Sequence, residues 1–86
     1  PHPDLATSYH NIGSVYEHQG KYEQALEQYQ KSLAIMKQIY GSNPHPDLAI
    51  SYGNIGSVYY SQGKYGEALE QYQKSLAMRE QIYGSN

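Results

Sequence analysis

Near the start of the chain, apolar and ring side chains recur at Leu5, Tyr9, Ile12, Val15 and Tyr16. Steps of three and four residues put them on one side of an α-helix, and this stripe is the face expected to pack. Pro3 suits the first helical position, where a missing N–H costs nothing, and Asp4 puts a carboxylate near the positive end of the helix. The stripe stops at Gln19-Gly20, where glycine suits the left-handed position that ends a helix. A second stripe runs through Tyr22, Ala25, Leu26, Tyr29, Leu33, Met36, Ile39 and Tyr40 and is closed by Gly41. Glu27 and Lys31 stand four apart in the favourable order for a surface pair, as do Glu70 and Lys74. Gly13 lies inside the first helix, where it costs ~1 kcal/mol relative to Ala. Close approach to the second helix at Ala25 is the expected return, repeated at Gly56 and Ala68. No segment alternates with period two, so no strand is expected.

Shifted by 43 residues, the sequence lands on itself: residues 1–43 and 44–86 agree at 34 positions and differ at nine. A period of this size marks a stacked repeat in which each unit covers the apolar face of its neighbour. The chain therefore reads as two helical hairpins, 1–43 and 44–86, forming one architecture and not two independent domains. Pro44-His45-Pro46 repeats Pro1-His2-Pro3, so the segment between the hairpins belongs to the unit. Its prolines fix φ and disfavour helix in the preceding residue, which predicts a stiff corner.

Composition narrows the function. Hydrophobic residues make up 38% of the chain, and its aromatic residues are eleven tyrosines with no Phe or Trp. Each buried ring then needs a partner or a route to solvent for its hydroxyl, which suits a thin structure. The formal net charge is −2, without a basic run, which argues against binding a nucleic-acid backbone. Cysteine is absent, which excludes disulfides, thiolate metal sites and cysteine nucleophiles. No apolar run approaches membrane-spanning length and no signal peptide is seen, so no membrane partner is expected and the cytoplasm is favoured. The chain begins without Met and reads as an excerpt of a longer array.

The residues Tyr9, Ile12, Gly13, Tyr16, Gly20, Tyr22, Ala25, Leu26, Tyr29, Ser32 and Leu33, and the same set 43 positions later, carry a resemblance to the tetratricopeptide repeat. Tyr9 and Tyr52 stand where that family usually has Trp, and Ser32 and Ser75 where it usually has Ala. Lys37 and Glu80 occupy the place of a helix-ending proline, so the second helix is expected to run on by more than a turn. The ordinary repeat has about 34 residues. This longer one is similar to the extended repeats of kinesin light chains and nephrocystin-like proteins. The resemblance implies an all-α fold, an α-solenoid of two tetratricopeptide-like antiparallel helical hairpins, acting as a non-catalytic protein-interaction or scaffold module.

It also implies a groove, lined by the first helices, that holds a protein or peptide segment. In this chain that groove would show Thr7, His10, Asn11, Ser14, Glu17 and His18, then Ile50, Gly53, Asn54, Ser57, Tyr60 and Ser61. Asn11 and Asn54 match family positions that bond a peptide backbone, which an amide suits because it both donates and accepts. His10 and Gly53 stand where some members carry a Lys that clamps a terminal carboxylate, so that clamp is not expected. Four of the nine differences between the units fall on this helix, at positions 7, 10, 17 and 18.

No other chemistry competes strongly. His10 and His18 are eight residues apart on one helix, about 12 Å along its axis, too far for one metal ion. His2 and His45 precede prolines and read as exposed or capping. Ser14 and His10 stand one turn apart with no third partner, so neither an enzyme nor a cofactor is expected. The alternative to a peptide groove is self-association. Two repeats leave a bare face at each end, and those faces are complementary because the same interface joins the two units. Helices of one unit could also fuse across Gly20-Lys21 and swap between chains.

Overall fold

The structure is a computed structural model that describes residues 2–84. It contains four helices: α1 (Pro3–His18), α2 (Tyr22–Tyr40), α3 (Pro46–Ser61) and α4 (Tyr65–Tyr83). Helix α1 packs on α2, α2 on α3, and α3 on α4, giving a thin slab with Cα extents of 35 × 31 × 15 Å. No strand occurs among the described residues.

Local chemistry sets the helix ends. His2 and His45 are N-caps, with each Nδ1 accepting the backbone N–H of Asp4 or Asp47 at 3.1 Å. Each proline follows at the first helical position, and each Asp lies in the first turn. At the other end of α1, Gly20 takes φ 76°. The N–H groups of Gly20 and Lys21 return to the carbonyls of Glu17 and Tyr16 at 3.0 and 2.9 Å, closing the helix end with a Schellman motif. Gly63 and Lys64 repeat both bonds to Tyr60 and Tyr59. The longer helices run to Tyr40 and Tyr83, past Lys37 and Glu80, as the missing proline implied. Both expected surface pairs form, Glu27–Lys31 at 3.4 Å and Glu70–Lys74 at 3.6 Å.

Within each hairpin the helices meet over small residues. Ala6, Gly13 and Ala25 are buried between α1 and α2, and Ala49, Gly56 and Ala68 between α3 and α4. A Cβ on Gly13 would stand 3.3 Å from the Ala25 carbonyl and 2.8 Å from the Tyr29 ring. The close approach therefore involves a ring as well as the expected backbone. The serines in place of the family's alanines have a use. Buried Ser32 Oγ donates to the carbonyl of Ala6 at 2.8 Å, and Ser75 Oγ to that of Ala49 at 2.8 Å, tying each second helix to its first.

The packing expected of the first stripe holds in one hairpin only. Leu48, Ile55 and Val58 of α3 are buried at 3%, 3% and 0% exposure, whereas their counterparts Leu5, Ile12 and Val15 in α1 are 45%, 45% and 57% exposed. Helix α2 covers this face of α3, and in α1 the same face meets solvent. The second stripe behaves inversely: Tyr29 and Leu33 of α2 are buried, while Tyr72 and Leu76 of α4 are exposed.

Tyr40 ties the corner between the hairpins together through an aromatic contact and a side-chain hydrogen bond. The Tyr40 ring stacks on the His45 imidazole, with centroids 3.8 Å apart and planes 10° from parallel. Its hydroxyl donates to Asp47 Oδ2 at 3.0 Å. Tyr40 thus clamps the last turn of α2 to the cap of α3, giving the stiff corner a physical basis.

Candidate functional site

The twelve groove candidates separate into three groups. The first lines a cleft of about 220 Å³ between α1, α2 and α3. Thr7, His10 and Ile50 stand at its wall with Ala6, Met36 and Ile39, while Tyr40 and Asp47 extend the corner into it. Thr7 Oγ1 also donates back to the Pro3 carbonyl at 3.3 Å, and Ile50 is exposed. The surface of the cleft is more apolar than polar, with Asp47 as its carboxylate.

The second group bonds within the protein. The Asn54 amide donates to His10 Nδ1 at 3.3 Å. Glu17 accepts the Tyr29 hydroxyl at 2.7 Å and the Ser57 hydroxyl at 2.9 Å. The His10–Asn54 and Glu17–Ser57 bonds link α1 to α3, and the Tyr29 bond joins α2 to the same carboxylate. Burial, and after it the hydrogen bond to Glu17 and that group's negative charge, push the Tyr29 hydroxyl well above the ordinary phenol range. The ring therefore remains a neutral donor. Glu17, Ser57, His10 and Asn54 are among the residues that the resemblance places along a groove; in the structure His10 pairs with Asn54, and Glu17 with Ser57.

The third group lies outside both arrangements. Asn11 and Ser61 are exposed, and Gly53 and Ser14 half-buried. His18 is exposed, and its Nδ1–H donates to the Ser14 carbonyl at 2.7 Å. Tyr60 is exposed, with its ring centroid 5.1 Å from that of Tyr65. Among the described residues, no group of three or more His, Cys, Asp or Glu side chains could hold a metal ion. None of the helices is long and apolar enough to cross a membrane.

Sequence reasoning about the groove omitted the tyrosines and carboxylates of the corner. Their signal was present: Tyr40, His45 and Asp47 recur as Tyr83, His2 and Asp4.

Paired antiparallel helices of this length, stacked through a recurring interface, define an α-helical repeat protein. The chain belongs to the tetratricopeptide-repeat family, whose model matches residues 2–81. Repeats of this family are in general non-catalytic protein-interaction or scaffold modules. Among solved structures, the crystal structure of BtubC (BKLC) from P. vanneervenii superposes with a TM-score of 0.82 at 24% identity. The match covers 94% of this chain and 32% of that one, and it speaks for the fold alone. No curated protein matches the chain.

Proposed function

We propose that the chain is a non-catalytic scaffold unit whose end faces dock further hairpins of the same kind. The observation that supports this is the paired exposure of duplicated residues. Leu5, Ile12 and Val15 are bare on α1, while the same residues in the next repeat are covered by α2. Leu69, Tyr72 and Leu76 are likewise bare on α4, while their counterparts Leu26, Tyr29 and Leu33 pack in the core cluster. Contiguous apolar faces of this kind mark interaction sites, and the shape that fits each is already present in the molecule. Either face would meet a hairpin from the same chain or from another in the same way.

Sedimentation equilibrium across a wide concentration range, with circular dichroism at both ends, tests this. The expected result is a mass that rises with concentration, with helix content constant or rising. A monomer of constant helicity throughout would remove the reading.

The cleft supports a second reading, an extended peptide lying across α1 and α3 with an aliphatic side chain beside Ile39 and Ile50. Peptides selected from a random display library should lose at least about tenfold in affinity when Ile50 becomes Asp, with helicity unchanged. Peptides that bind both proteins equally would exclude the cleft.

A further inference from the structure

The internal corner supplies a template for what each bare end lacks. At the corner three groups act together: the Tyr40 ring lies on His45, the Tyr40 hydroxyl reaches Asp47, and His45 caps α3 through the Asp47 N–H. At the front of α1 two of these groups are already in place. His2 Nδ1 accepts the Asp4 N–H at 3.1 Å and lies 3.7 Å from Asp4 Oδ2, the same distances as between His45 and Asp47. The third group stands at the far end of the chain: Tyr83, the counterpart of Tyr40, is 69% exposed at the end of α4.

The surface between these groups is shaped for a helix. An open depression of about 510 Å³ runs along α1, lined by His2, Asp4, Leu5, Ser8, Tyr9 and Ile12. These are the counterparts of residues on the α3 side of the internal interface, where Leu48 and Ile55 are buried in one cluster with Leu33 and Met36 of α2. Charge is complementary as well. Met36 and Asp47 line one cleft at the internal joint. In the duplicated register Arg79 replaces Met36 and Asp4 replaces Asp47. A joint between two chains would then face a guanidinium toward a carboxylate.

Resting on the end-face reading above, we infer that the partner is a second copy of this chain, joined head to tail, with α4 of one copy on α1 of the next. Tyr83 of the first copy closes onto His2 and Asp4 of the second. The contact is heterologous, so it continues into longer chains or closes into rings. It is weaker than the internal joint. The α1–α3 bonds made by His10 and Glu17 have no equivalent there, because Gly53 and Tyr60 occupy those positions in the second repeat.

Two blocked variants of the full chain test the direction of assembly. Ile12→Glu charges the α1 face and Leu76→Glu the α4 face. Both positions are exposed within one chain, so the hairpins stay folded, which circular dichroism checks. Head-to-tail contact predicts that each variant alone is monomeric and that their mixture gives a 1:1 dimer and nothing larger. Self-association of either variant alone, or a mixture that stays monomeric while the parent chain associates, would overturn the head-to-tail assignment. A parent chain that never associates would instead overturn the end-face reading beneath it. Tyr83→Ala tests the closing contact and should weaken association about tenfold, with Tyr83→Phe, which keeps the ring and loses the hydroxyl, about threefold. An unchanged dissociation constant for Tyr83→Ala would remove the tyrosine contact and leave the direction of assembly standing.

Discussion

Replacing Ile55 by alanine is expected to destabilise the chain by about 3 kcal/mol, whereas the same change at Ile12 costs about 0.5 kcal/mol or less. The two residues occupy one position in the repeat, and the sequence from Asn11 to Tyr16 is identical to that from Asn54 to Tyr59. Ile55 is buried in the cluster with Leu33, Met36, Leu48 and Val58, so truncation leaves a cavity as well as losing apolar contact. Ile12 meets solvent, and its truncation removes little from the folded state. Urea denaturation at low protein concentration measures both values as shifts in midpoint. Equal losses would mean that the face of α1 is covered in solution even at that concentration. As concentration rises, the Ile12 penalty should grow if copies stack, because the residue then enters an interface like that of Ile55.

The second large difference is expected at the glycines inside the first helix of each hairpin. Gly13→Ala should destabilise the chain by about 1–2 kcal/mol, with Gly56→Ala close to neutral. Both changes bring a gain of ~1 kcal/mol in helix propensity. Both also drive a methyl group into a neighbouring ring, at 2.8 Å from Tyr29 or 2.9 Å from Tyr72. Overpacking of this kind costs typically 1–3 kcal/mol where the neighbour cannot move. Tyr29 cannot easily move, because it is buried and its hydroxyl is held by Glu17 at 2.7 Å. Tyr72 is exposed, and the carboxylate that holds Tyr29 is replaced in its repeat by Tyr60, so the ring is free to swing outward. Thermal unfolding of the two variants checks the contrast. Equal losses would show that the Ala25 and Ala68 carbonyls, at 3.3 and 3.2 Å from the added carbon, set the limit rather than the rings.

The groove residues show where reasoning from one helix stops. The family resemblance places Thr7, His10, Asn11, Ser14 and Glu17 in a groove because they lie on the first helix, off its apolar stripe. It says nothing of which residues stand opposite them in this chain. Asn54 and Ser57 of α3 stand opposite, and they bond to His10 and Glu17. Those pairs join residues 44 and 40 positions apart, and the duplication obscures them, because neither His10 nor Glu17 recurs in the second repeat.

Much of the fold was determined by the sequence alone because it is set locally. Helix extents follow from prolines at the first helical position, histidine caps, left-handed glycines and a run of residues with no second proline; each of these acts within about six residues of chain. The 43-residue duplication then required the same hairpin twice. What the tertiary structure alone decided is the burial of identical side chains. Leu5 and Leu48, Val15 and Val58, and Leu33 and Leu76 carry the same local signals, yet only one member of each pair is covered. Burial depends on which neighbour a face meets, and in a linear stack each interior face has a neighbour that the end faces lack. The period in the sequence specifies the interface, and position in the stack determines where that interface is filled.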